Sequence, residues 1–76
     1  MIVASQGSER RSGTVSEFDE KVGLGSVAGD SGRDRYPFHC TQIAGGSRTI
    51  DVGARVSFTV IPGHAGIWEA GDLRVT

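Results

Sequence analysis

The chain has 76 residues, enough for one small domain. A domain of this size buries only about 60% of the surface its unfolded chain exposes, which leaves little material for a large catalytic cleft. Eight Lys and Arg against nine Asp and Glu give a formal net charge of −1, which excludes the broad basic field that draws most nucleic-acid binders to phosphate.

The opening Met1-Ile2-Val3-Ala4 is shorter than the ~7–15 apolar residues of a signal-peptide core. No run reaches the ~18 apolar residues of a membrane span. Both point to a soluble cytoplasmic protein with no membrane partner. Residues 1–12 read as a flexible polar N-terminal tail and 13–76 as the domain. Gly13–Phe18 is the first strand, Asp19-Glu20-Lys21 a polar turn, and Gly23–Ala28 the second strand. Gly29-Asp30-Ser31-Gly32 is a strong turn signal before a third strand, Arg35–Cys40. Pro37 lacks a ladder N–H, so irregularity is expected there. Thr41–Ile43 fits one helical turn, broken by Gly45-Gly46, and Ala44–Ala54 is the longest connection. In Arg55–Ile61, Val56, Phe58 and Val60 alternate with polar residues, a clear period of two. Pro62–Gly66 turns the chain into Trp68–Val75, interrupted at Gly71-Asp72. Five short strands and no helical periodicity predict an all-β, five-stranded antiparallel barrel, closed or partly closed.

Site chemistry is sparse. His39 and Cys40 are adjacent, so on a strand they point to opposite faces. His64 is far away in sequence, and no spacing suits a metal. The same alternation argues against a Cys–His nucleophile. Cys40 is the single cysteine, so no internal disulfide exists. A phosphate loop must lead into a helix, whereas Gly23-x-Gly25 sits within a strand, where glycine permits bulging and curvature. No cofactor is implied, and no acid–base pair suggests an enzyme. Arg33, Arg35, Arg48, Arg55 and Arg74 are interleaved with Asp30, Asp34, Asp51 and Asp72. They form either a mixed solvated surface or a small patch in which Arg48 and Arg55 line a groove.

Three ordered segments carry a family resemblance. Residues 13–27, Gly13-Thr14-Val15-Ser16-Glu17-Phe18 through Lys21-Val22-Gly23-Leu24-Gly25-Ser26-Val27, resemble the G-x-V-K-W-F-N-x-x-K-G-[FY]-G-F-I opening of bacterial cold-shock proteins. Tyr36-Pro37-Phe38-His39-Cys40 resembles V-F-V-H-[FY], and Gly53-Ala54-Arg55-Val56-Ser57-Phe58 resembles G-Q-x-V-x-F. The resemblance implies a cold-shock-type OB-fold barrel that binds single-stranded RNA or DNA by stacking bases on aromatic rings. Carried over residue by residue, Phe18 and His39 match. Glu17 stands at the Trp position, Leu24, Ser26 and Pro37 at Phe positions, and Cys40 at an aromatic one. The strand-borne Lys position holds Val22, with Lys21 one residue earlier.

The inward set predicted from alternation is Val27, Phe38, Ile43, Val56, Phe58 and Val60, with Tyr36. Loss of the four rings replaced by Glu17, Leu24, Ser26 and Pro37 alone corresponds to roughly 4–12 kcal/mol if the terms add. The expected function is therefore weak or specialised single-stranded nucleic-acid binding through Phe18, Lys21, Leu24, His39 and Trp68. Phe18 reads as either a rim contact or partly core. Trp68 reads as either a ligand contact or a cover over one barrel mouth. The alternative function is a protein-interaction or regulatory module on the same scaffold, motivated by Glu17, the slight negative charge and the apolar Leu24, Pro37 and Trp68.

Overall fold

The computed structural model describes residues 10–63 and 66–76. It contains β1 (Arg11–Asp19), β2 (Leu24–Gly29), β3 (Arg35–His39), β4 (Arg55–Pro62) and β5 (Trp68–Val75). Two single 3₁₀ turns, Cys40–Gln42 and Ala44–Gly46, follow β3. The strands form one antiparallel sheet in the order β3-β2-β1-β4-β5. Its two edges pack together, so that Phe38 of β3 and Ala70 and Leu73 of β5 share one buried cluster. Among the described residues no hydrogen-bond ladder joins β3 to β5. The barrel closes by side-chain packing at that seam.

Two bulges set which side chains face inward. In β1, Val15 pairs with Val27 and Glu17 with Ser26, leaving Ser16 as the extra residue. The Ser16 hydroxyl donates to the Ser26 carbonyl at 3.2 Å. The inserted residue reverses the alternation, as a bulge does. Glu17 therefore turns outward and Phe18 turns in, stacking on buried Phe38 with ring centroids 5.9 Å apart and planes 8° from parallel. Gly25 makes this stack possible: a Cβ there would stand 2.6 Å from the Glu17 carbonyl and 2.7 Å from the Phe38 ring. In β5, Thr59 pairs with Gly71 and Ser57 with Arg74, so Asp72 and Leu73 together oppose Phe58. Asp72 takes a left-handed φ of 49°, a conformation that Asp tolerates better than most residues. Leu73 points into the core and is fully buried.

The core is Val15, Val27, Phe38, Ile43, Val56, Phe58, Ala70 and Leu73. Five of the seven residues predicted to face inward are buried; Val60 and Tyr36 are half-buried against the cluster. Val15, Ala70 and Leu73 complete it. Ala70 and Leu73 are three apart, a spacing that only the bulge reconciles with one face of a strand.

Several boundaries differ from the sequence expectation. The first strand begins at Arg11, and Arg10 is tied to the domain: its guanidinium donates to the Ser57 hydroxyl and carbonyl, to the Asp72 carboxylate at 2.8 Å and to the Asp72 carbonyl at 2.6 Å. The expected tail thus loses Arg10–Ser12 to the fold, and its remainder, residues 1–9, lies outside the described residues. So does His64, within the expected turn. Gly23 is in the β1–β2 turn with φ 73°, not within a strand; its N–H donates to the Asp19 carbonyl at 2.8 Å. The expected irregularity at Pro37 is absent. The β2–β3 register runs unbroken from Leu24↔His39 to Ala28↔Arg35, because β3 is an edge of the ladder, where proline is tolerated. No helix among the described residues is long and apolar enough to cross a membrane.

Candidate nucleic-acid interface

The outward face of β1, β2 and β3 is built from cross-strand rows. Asp19, Leu24 and His39 form one row, and Glu17, Ser26 and Pro37 the next. Leu24 is 52% exposed. A shallow hollow lined by Glu17, Phe18, Asp19, Val22, Leu24 and Ser26 lies on one side of it. A second, lined by Leu24, Pro37, Phe38, His39 and Glu69, lies towards the seam with β5.

His39 ends β3 and caps the following 3₁₀ turn. The Thr41 N–H donates to its Nδ1 at 3.2 Å, and the Thr41 hydroxyl lies 2.9 Å from the same nitrogen. Nδ1 is therefore the acceptor nitrogen of the neutral ring, and Nε2 carries the proton. Since the strand stops at His39, alternation does not govern Cys40. Its Sγ lies 3.9 Å from His39 Nδ1, which corrects the expectation that the two side chains point apart. Nδ1 is already engaged by Thr41 and is not free to act on the thiol.

Of the five predicted contact residues, the structure brings three together. Phe18 and Leu24 line one hollow, and Leu24 pairs across strands with His39. Phe18 presents only part of its surface, because its ring face is spent on Phe38. Lys21 sits exposed on the β1–β2 turn, where its N–H donates to the Asp19 carboxylate at 2.9 Å. Trp68 is not on this face. It is 58% exposed at the start of β5 and lines a separate hollow with Arg11, Tyr36 and Val60.

Electrostatics on the sheet face is unfavourable to phosphate. Glu17 and Asp19 border Leu24 on one side and Glu69 on the other. Arg55 does not open a basic groove, since its guanidinium is paired with Asp30 at 2.6 and 3.1 Å and also donates to the Thr14 hydroxyl. That bond holds the Asp30 carboxyl below the ordinary range, against a smaller opposing effect of burial. Arg74 and Arg10 both pair with Asp72. Partial burial pushes the Asp72 carboxyl up, and the combined bonds and charges of Arg74 and Arg10 outweigh it and bring it below its usual value.

An antiparallel β1–β2–β3 platform with an outward His39 and a partly buried Phe18 at its edge, on a five-stranded barrel, defines a nucleic-acid-binding OB domain of cold-shock type. The chain belongs to the cold-shock domain family: the family described as the "'Cold-shock' DNA-binding domain" matches residues 11–73. It is also similar to the major cold shock protein CspA of Pseudomonas aeruginosa, with 35% identity over 69 residues, covering 90% of this chain and 97% of that protein.

Proposed function

We propose that this chain binds single-stranded nucleic acid weakly, as a cytoplasmic binding domain without catalytic activity. The sheet face around Leu24 and His39 makes the contact. His39 supplies a planar ring and an Nε2–H donor. Leu24 and the exposed edge of Phe18 give apolar contact to bases, and Lys21 offers a cation at the β1–β2 turn. The observation that carries this reading is the Leu24–His39 pair on the outward face of a domain whose family match spans residues 11–73.

Weakness follows from chemistry. Each base–ring stack is worth about 1–3 kcal/mol, and Glu17, Ser26 and Pro37 provide no ring that stacks as Trp or Phe does. Non-specific binding at physiological salt commonly has a Kd of ~1–100 µM. With carboxylates on both sides of Leu24, the expected Kd is about 100 µM or weaker. The test is anisotropy of labelled oligo-dT and oligo-U at low salt. Saturable binding supports the proposal, and the absence of any saturable change up to about 1 mM protein overturns it.

A further inference from the structure

The hollow around Trp68 has a construction that the sheet face lacks. Its four described lining residues, Arg11, Tyr36, Val60 and Trp68, are all inward-parity positions at one end of the barrel. Arg11 precedes buried Gly13 and Val15 by alternation in β1. Tyr36 precedes buried Phe38 in β3, Val60 follows buried Phe58 in β4, and Trp68 precedes buried Ala70 in β5. At this mouth the core runs out, and these side chains project past its end instead of into it.

Three properties suit the mouth to a planar anion. First, Trp68 is the one exposed ring among the chain's five aromatic residues. Second, Tyr36 is anchored beside it, its ring tilted at 52° against Phe58 with centroids 5.5 Å apart. The aromatic wall therefore loses little freedom on binding. Third, Arg11 is the one charged side chain among the described residues that line it. The hollows on the sheet face carry Glu17, Asp19 or Glu69, the one under the long loop carries Asp51 with Arg74, and the one beside the β2–β3 turn carries Asp30 and Asp34 and shares Arg11 and Tyr36 with the Trp68 hollow. Among its described lining residues the Trp68 hollow has Arg11 and no carboxylate. Among the described residues, no acid pairs with Arg11. The hollow measures about 360 Å³, at the lower end of the range for small-molecule sites, a size for one nucleobase and its phosphate.

We propose that Trp68, Tyr36, Val60 and Arg11 form a nucleotide subsite at the barrel mouth, in which a base of a single strand stacks on Trp68 and Arg11 holds its phosphate. This rests on the reading of the chain as a single-strand binder, and it moves the strongest stacking contact off the sheet face. Glu69, next to Trp68 in β5, lines the seam-side hollow with His39 and Leu24.

The experiment measures anisotropy of labelled oligo-dT and oligo-U with the full chain, alongside quenching of Trp68, the chain's single tryptophan. Trp68→Ala is expected to weaken binding about 5- to 150-fold, the range for one stacked base. Trp68→Phe is expected to recover most of it. Arg11→Gln is expected to weaken binding and to make the salt slope shallower by about 0.7, the value for one phosphate on a single strand. Circular dichroism confirms that each variant is folded, which the exposure of Trp68 favours. Oligonucleotide binding by the wild type with unchanged Trp68 emission and equal affinity in Trp68→Ala overturns the subsite and leaves the single-strand reading intact. No binding by the wild type overturns both. Equal responses to dT and U assign the site to bases of either nucleic acid, whereas a difference identifies which one it takes.

Discussion

If missing rings limit affinity on the sheet face, restoring them should raise it, and Leu24→Phe with Ser26→Phe is the most informative change. Both side chains lie in outward rows of β2, between β1 and β3. Leu24 is 52% exposed, so a larger ring there meets solvent and not the core. Two stacks at about 1–3 kcal/mol each give ~2–6 kcal/mol if independent. Positions two apart on one strand share neighbours and need not add, so the low end, about 2 kcal/mol or ~30-fold in Kd, is the firm expectation. Charge is a smaller effect: a carboxylate ~7 Å from a phosphate in water costs about 0.6 kcal/mol. Glu17→Gln alone should therefore tighten binding only about threefold. The assay is anisotropy with oligo-dT at low salt, with thermal melts to verify folding. A folded double variant that binds within twofold of the wild type would refute the claim that ring loss sets the affinity.

Other consequences are testable on the fold. Gly25→Ala forces a Cβ against the Glu17 carbonyl and the Phe38 and Phe18 rings, and should cost about 1–3 kcal/mol, read as a melting temperature lower by at least ~4 °C. Arg10→Ala removes the bonds to Ser57 as well as the pair with Asp72, and a melting temperature lower by about 4 °C or more is expected; an unchanged value would show that Arg10 is not part of the folded unit. The carboxyls of Asp30 and Asp72 are held low in the folded state. Their stabilisation is thus complete above the unfolded carboxylate pKa of ~3.9 and is lost as pH falls through the lower folded value. Urea melts between pH 7 and 2.5 should show Asp30→Asn and Asp72→Asn losing less stability on acidification than the wild type, and parallel curves would contradict this.

How far the sequence disclosed this structure depends on where the alternation of side chains holds. In β4, Val56 and Phe58 were legible because period two runs without interruption into the core. In β1 and β5 a bulge breaks the count. Nothing in Val15-Ser16-Glu17-Phe18 announces that Ser16 is the extra residue, so the burial of Phe18 stayed open until its stack on Phe38 decided it. Gly71-Asp72 did signal an interruption, but not that it would turn Leu73 inward. The sheet-face residues Leu24 and His39 were legible through the family pattern. The mouth site was half legible: Trp68 stood out as a ring, while Arg11 and Tyr36 join it only through the registers of four strands, which no local segment encodes. The sequence left Arg55 between a mixed solvated surface and a groove patch for the same reason, because its partner Asp30 lies 25 residues away.

On the proposed reading, this domain contacts single strands through the Leu24–His39 face and the Trp68 mouth, weakly and with few phosphate contacts. An ¹⁵N NMR titration of the full chain with short oligo-dT tests it most directly, because it reports each residue separately. Saturable shifts are expected at the amides of Leu24, Ser26, His39 and Thr41 and at the Trp68 indole N–H, in fast exchange. Shifts confined to the connection between Ala44 and Ala54, or none at all at about 1 mM oligonucleotide, would contradict it.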